Sequence, residues 1–235
     1  MATNNHVHTG NRLLALLPRK ECQSLLAACE QIDLSAGSML CKPGERIRDI
    51  YFPISCTISL VSHIDAHDKL GVGLAGNEGM FGVPLILGLE VSSLCALVQG
   101  SGSAWKIGTS EFMLRYEQNP LLQRVLKRYV YTLMNQLAQT AVCNRFHMTE
   151  ARLARWLLMT DDRTYSAGFH VTQAFLAYML GVRRVGISKA AGALQKQKLI
   201  NYSRGDITII DRQGLQRVAC SCYQTDKDAF DRIMS

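Results

Sequence analysis

Apolar residues recur through residues 119–146 at spacings that fit one face of a helix: Leu122, Leu126, Tyr129, Leu133 and Leu137 are four, three, four and four positions apart. Asn119-Pro120 suits a helix start, because Asn can accept free N–H groups and Pro tolerates the first turn. No glycine or proline follows before Phe146. The pattern predicts a helix of roughly 26 residues, about 39 Å long at ~1.5 Å per residue. A narrow apolar seam on so long a helix predicts packing against a second copy, so these five residues are the expected homodimer interface.

The chain before this helix has another texture. Twelve of the 18 glycines lie before residue 115 and divide it into short runs. Ile50-Tyr-Phe, Thr57-Ile-Ser-Leu-Val-Ser, Leu70-Gly-Val-Gly-Leu and Ala96-Leu-Val-Gln are β-rich and bounded by Gly, Pro or Asp. Such spacing predicts an antiparallel sandwich or roll. A helix over Pro18–Gln31 is expected ahead of it. Beyond the long helix, Thr149 is placed to cap another helix with Leu153, Trp156 and Leu157 inward, followed by a polar loop, Thr160–Ser166.

Residues Val171–Ile210 carry the sharpest signal. Thr172-Gln-Ala-Phe-Leu-Ala-Tyr-Met-Leu reads as a short amphipathic helix with Phe175, Leu176, Met179 and Leu180 inward. Gly181 suits the tight turn after it. A second helix, from about Arg183 to Gln197, would bury Ile187, Ala190, Ala191 and Leu194. Helix, glycine turn and helix form the DNA-binding helix-turn-helix pattern. Leu199-Ile200-Asn-Tyr, the Ser203-Arg-Gly-Asp turn and Ile207-Thr-Ile-Ile then predict a hairpin, the wing of a winged helix.

Charge supports this placement. The chain has 235 residues, 48% hydrophobic and 19% charged, with a formal net charge of +7. Residues 1–114 hold 8 Lys/Arg against 10 Asp/Glu, and residues 115–235 hold 18 against 9. Between Arg183 and Arg204 lie six bases and no acid. A solvated helix usually interleaves both signs, so this run points to a polyanion. Arg184 and Lys189, near the start of the second helix, are placed to reach base edges. Arg204 at the wing tip and the Thr172 and Ser188 hydroxyls suit phosphate contact.

No run of eighteen uncharged apolar residues occurs, so no membrane association is expected, and the N-terminus has neither the charged nor the apolar segment of a secretory signal. A cytoplasmic protein is expected. Eight cysteines (22, 29, 41, 56, 95, 143, 220 and 222) form no Cys-x-x-Cys pair, and Cys220-x-Cys222 is the closest spacing. They are expected to be small reduced hydrophobes, with no metal and no cofactor. His63 and His67, in a strand–turn region, are expected to face solvent rather than ligate.

Ala151-Arg-Leu-Ala-Arg-Trp-Leu-Leu, Leu176-Ala-Tyr-Met-Leu-Gly-Val-Arg-Arg and Ala190-Ala-Gly-Ala-Leu-Gln-Lys, with the hairpin behind them, resemble the CRP/FNR superfamily of bacterial transcription regulators. The resemblance runs along nearly the whole chain. It implies an α+β protein: an N-terminal antiparallel β-roll of the jelly-roll type and cyclic-nucleotide-binding-like kind (1–117), a dimerisation helix (118–147) and a C-terminal winged helix-turn-helix (148–235). It also implies a non-enzymatic, homodimeric regulator that binds a palindromic operator in double-stranded DNA and works with RNA polymerase. Arg183, Arg184, Val185, Gly186 and Lys189 fall on recognition-helix positions. Thr172, Ser188, Ser203 and Arg204 complete the expected DNA contacts. Val185 replaces a base-reading glutamate of cyclic-AMP-responsive members, so the preferred operator should differ.

The sensor end departs from those members. With Phe81-Gly82 aligned, Val83 stands at the glutamate that holds the ribose, and Ser92 and Ser93 stand at the arginine and serine that hold the phosphate. Leu137 and Ala138 replace the Thr-Ser pair that reaches adenine. Losing the arginine removes the charge-assisted partner of the phosphate. Gly82, Val83, Ser92 and Ser93 are therefore effector-site candidates for an unknown small molecule or none, not for cyclic AMP bound in the usual way. The clustered N-terminal cysteines of an iron–sulfur sensor are also missing. Two alternatives from other classes are a thiol- or redox-active sensor or enzyme using the cysteines, and an RNA-binding module using the basic face.

Overall fold

The computed structural model describes residues 9–63, 69–164 and 168–235. His67 lies outside the described residues, as do parts of the 160–166 loop, whereas His63 is exposed at the end of a strand. In chain order the elements are α1 (Arg19–Leu26), β1 (Glu30–Leu34), β2 (Met39–Cys41), β3 (Asp49–Pro53), β4 (Thr57–His63), β5 (Lys69–Ala75), α2 (Val83–Ile86), β6 (Cys95–Gly100) and β7 (Gly102–Gly108). They continue as α3 (Thr109–Gln118), α4 (Pro120–Phe146), α5 (Thr149–Asp161), β8 (Phe169–His170), α6 (Gln173–Met179), α7 (Arg184–Lys196), β9 (Ile200–Ser203), β10 (Asp206–Ile209), α8 (Arg212–Val218) and α9 (Cys222–Met234).

The first half forms two antiparallel sheets, ordered β1-β7-β3 and β2-β6-β4-β5. Alternation directs Ile50 and Phe52 of β3 inward, where they meet Ile58, Ala96 and Phe112, all fully buried. The four expected strands form. The central strand β7 and the edge strands β1 and β2 were not anticipated, although β7 pairs with both β1 and β3, as in Trp105↔Gln31 and Trp105↔Phe52. The helix expected over Pro18–Gln31 ends at Leu26. Ile32 and Leu34 alternate with Gln31 and Asp33, and β1 takes its hydrogen bonds from β7.

Helix α4 starts as its sequence predicts. The Asn119 side chain accepts the Leu121 and Leu122 N–H groups at 3.1 and 3.0 Å, with Pro120 in the first turn. The seam is different. Leu122, Leu126, Tyr129 and Leu133 are buried inside the chain's own first core with Phe52, Met80 and Phe112. Leu137 is half-buried. The stripe covers the roll rather than lying open to a second copy. A second apolar row, Tyr131, Met134, Ala138, Ala141 and Val142, is exposed instead.

A second core is built from α5 to β10 around Leu153, Leu157, Leu176, Ile187 and Leu194. Thr149 does not cap α5: Met148 occupies the cap position and no side chain bonds there. The final helix, α9, packs along α4 and joins the two cores, with Tyr223 in the second and Met234 in the first. The roll and the second core meet at β5. A side chain at Gly71 would overlap Met179 of α6, so the absence of Cβ permits the approach.

Candidate DNA interface

Thr172 caps α6: its hydroxyl accepts the Phe175 N–H at 3.1 Å. Leu176 and Ala177 face the second core, while Met179 instead packs against Val61 and Cys95 of the roll. Gly181 then adopts φ 60°, the left-handed conformation that glycine enters at no steric cost, and the Val182 N–H returns to the Ala177 carbonyl at 2.9 Å. This sharp reversal sets α7 across α6.

Helix α7 buries Ile187, Ala190, Ala191 and Leu194 on its inner side. Arg183, Arg184, Val185, Ser188 and Lys189 are exposed on the other, with Gly186 half-buried among them. Arg183 stands at the cap position and Arg184 opens the helix, so the leading turn that would enter a groove carries the paired guanidinium groups. The Ser188 hydroxyl donates to Gln173 Oε1 at 2.6 Å, tying α7 to α6.

Strands β9 and β10 pair with Asp206 opposite Ser203. The two residues between them, Arg204 at φ 54° and Gly205 at φ 96°, form the two-residue turn whose positive φ values match the strand twist. Arg204 and Ser203 are exposed at this tip. Strand β8 adds a third strand, and His170 Nδ1 lies 2.8 Å from Asp206 Oδ1. A concavity of about 320 Å³ between wing and helix is lined by Thr172, Gln173, Arg184, Tyr202, Arg204 and Gly205. Burial pushes the Tyr202 phenol pKa up and the nearby Arg184 charge pulls it down. Its hydroxyl donates to the Val171 carbonyl at 2.9 Å. Gln173 and Tyr202 were missed in the sequence because neither carries charge; only their position beside Arg184 and Arg204 marks them.

The four effector candidates have different local environments. Gly82 takes φ 118° ahead of α2, where a side chain would press on Ile50, and Val83 is half-buried in that helix. Ser92 is buried with its hydroxyl donating to the Leu94 carbonyl at 2.7 Å, while Ser93 is exposed. A cavity of about 310 Å³ where α4, α5 and α9 meet is lined by none of the four; Glu78, Tyr129, Gln136, Arg163 and Asp226 are among its walls.

Cysteine placement brings together a side-chain group that the sequence does not single out. Seven of the eight cysteines are buried as expected, and all are free. Yet Cys143, His147, Cys220 and Cys222 bring one ligand atom each to within 4.8 Å of one another. Cys143 and Cys220 share a hydrogen bond that, aided by Arg155 and His147, lowers the Cys143 pKa against the effect of burial. Short intervals such as Cys-x-x-Cys could not reveal this set, but Cys143-x-x-x-His147 at one helix end and Cys220-x-Cys222 are its trace in the sequence.

The same architecture occurs in solved structures. FixK2 of Bradyrhizobium japonicum is 14% identical with a TM-score of 0.67, covering 82% of this chain and 98% of its own. The c-di-GMP responsive global regulator CLP of Xanthomonas campestris is 15% identical with a TM-score of 0.64, covering 82% and 99%. A CRP-family transcriptional regulator of Thermus thermophilus is 16% identical with a TM-score of 0.65, covering 80% and 96%. Residues 151–218 match the family model of the Crp-like helix-turn-helix domain.

The chain carries a Crp-like helix-turn-helix domain. No curated protein matches it by sequence. The structural likeness speaks for the fold of the whole chain, and the helix-turn-helix match carries DNA binding by residues 151–218. The matched span runs from within α5 to the end of α8, and holds every exposed residue of the basic face described above.

Proposed function

We propose that this CRP/FNR-type regulator works in the cytoplasm as a homodimer that recognises a palindromic operator and acts with RNA polymerase. Residues 1–117 serve as the sensor, 118–147 as the dimerisation helix and 148–235 as the DNA-binding unit. Arg183, Arg184, Val185, Gly186 and Lys189 read or border the bases, and Thr172, Ser188, Ser203 and Arg204 hold the phosphates. The observation that carries this is the run from Arg183 to Arg204, which holds no acid in sequence and whose six bases are all exposed from α7 to the wing tip.

The dimer seam is assigned to Tyr131, Met134, Ala138, Ala141 and Val142 rather than to the buried stripe. Tyr131, Met134, Ala138 and Ala141 are three, four and three positions apart, the spacing of a coiled-coil seam, with Val142 beside them, and Tyr131, Met134 and Val142 are 57%, 59% and 47% exposed. Pairing α4 with its copy would place two α7 helices on one duplex, where they must be about 34 Å apart to enter successive major grooves. The sensor's effector is not cyclic AMP held in the usual manner. Val83 offers no polar group, and the Ser92 hydroxyl is closed on Leu94.

The test is binding by purified protein to duplexes recovered from genome-wide mapping of its sites. Tight binding to a two-fold operator, falling steeply with salt as counterions are released, supports the reading. Equal affinity for random duplex or for RNA would overturn it.

A further inference from the structure

We infer that Cys143, His147, Cys220 and Cys222 bind one Zn²⁺ ion that clips the C-terminal end of α4 to the junction of α8 and α9. Cys143 lies in the last turn of α4, His147 ends that helix, and Cys220 and Cys222 flank the start of α9. The Cys143 and Cys220 sulfurs are 3.5 Å apart, and Cys222 Sγ is 3.4 Å from His147 Nδ1. A tetrahedral site with metal–sulfur bonds of about 2.3 Å and a metal–nitrogen bond of about 2.0–2.1 Å has ligand–ligand edges of roughly 3.8 and 3.5 Å. The recorded separations need only small adjustments to meet that geometry. They are also far from the ~2.05 Å of a disulfide.

Three thiolates and one imidazole form a soft, closed set that suits zinc and leaves no position for substrate, so the ion is structural. Hard cations such as Mg²⁺ prefer oxygen.

The surroundings fit an anionic centre. Zn²⁺ with three thiolates carries a net charge of −1. Arg152 and Arg155 are buried beside the cluster, 7% and 6% exposed. Asp226 pairs with Arg155 at 2.6 Å. Among the described residues no carboxylate forms an ion pair with Arg152, which bonds to the neutral Asn144 side chain and the Leu180 carbonyl. The Nε atoms of both arginines also lack hydrogen-bond partners. A metal–thiolate centre supplies the countercharge that Arg152 lacks. Gln139 Nε2 donates to the Cys222 sulfur at 2.9 Å, the kind of outer contact that orients a ligating thiolate.

Binding forms three Zn–S bonds and one Zn–N bond and releases the remaining thiol protons to solvent, with no change of oxidation state. The ligands sit where α4 passes into α5, so the ion fixes the direction in which the DNA-binding unit leaves the long helix. It also holds α9 in place along α4.

The test is metal analysis of the full-length protein expressed with zinc and purified under a phosphine reductant. About one zinc per chain is expected in the wild type and in Cys29→Ser, a cysteine outside the cluster, and none in Cys222→Ala. Co²⁺ taken up in place of zinc should give the intense visible bands of a tetrahedral thiolate site. His147→Cys should keep the metal and shift those bands, which separates ligation from a folding defect. Gln139→Ala should weaken binding by about 10–100-fold. If Cys222→Ala does not fold, chelation of the wild type should lower its melting temperature, and Zn²⁺ but not Mg²⁺ should restore it. Metal retained equally by a folded Cys222→Ala would overturn the proposal. So would a wild type that takes up neither metal, or one isolated metal-free with a Cys143–Cys220 disulfide. DNA binding is not part of the readout, so failure here leaves the regulator reading untouched.

Discussion

Glu78 and Arg163 form an ion pair at 2.7 Å, with side chains 8% and 12% exposed, that ties the loop after β5 of the roll to the loop after α5 of the DNA-binding unit. The other carboxylate oxygen of Glu78 accepts the Gly76 N–H at 3.2 Å. Gly76 in turn lies so close to Arg163 that any Cβ would overlap its side chain. The pair and the glycine set how tightly the two halves dock.

Glu78→Ala leaves a buried guanidinium without its carboxylate, and breaking such a pair from one side costs about 3–5 kcal/mol. Urea unfolding should show that loss. The double change Glu78→Leu/Arg163→Met, which removes both charges, should recover most of it. A loss below ~1 kcal/mol for Glu78→Ala would show that the pair is solvated in solution.

Helix α4 has two apolar faces with separable roles. Leu126→Ala, in the roll's core, should reduce stability by about 2–5 kcal/mol through the cavity it leaves. Met134→Glu, on the exposed face, should leave the fold intact and turn a dimer into a monomer in light scattering. A Met134→Glu protein that remains dimeric would place the interface elsewhere.

On the DNA face, Arg184→Ala should cost about 1–3 kcal/mol at particular operator bases, because a bidentate guanidinium discriminates guanine. Arg204→Ala should weaken every duplex alike and lower the salt slope by about one, as expected for a lost phosphate contact. Equal losses on operator and random DNA for Arg184→Ala would remove its base-reading role.

The cysteines of the roll should be inert. Burial pushes Cys29 and Cys56 up to about 12 from 9.0. At pH 8 the thiolate fraction then falls from about one-tenth to ~10⁻⁴, and alkylation should slow by roughly 1000-fold relative to the unfolded chain. Reactivity should rise only as pH approaches 12. Rapid labelling of Cys29 or Cys56 in the native protein at pH 8, followed by mass spectrometry, would contradict their burial.

Elements whose signals are local were legible in the chain's adjacent residues. Asn119-Pro120 placed the start of α4, Gly181 the turn between α6 and α7, and Arg204-Gly205 the wing tip, because caps and positive-φ turns depend on a few adjacent residues. The acid-free run from Arg183 to Arg204 also needed no fold to be read as a polyanion face. Strands β1 and β7 were not legible, since their stability comes from partners about 70 residues away in the chain. Which face of α4 remains open was undecidable as well: both stripes are apolar, and only the roll, by covering Leu122, Leu126, Tyr129 and Leu133, leaves Tyr131 and Met134 exposed. The Cys143–His147–Cys220–Cys222 cluster is the clearest case. Cys143 and Cys220 are 77 positions apart, and they meet only because α9 folds back along α4. Short-range chemistry is written in adjacent residues. Which distant side chains share a site is decided by packing, and no local pattern encodes it.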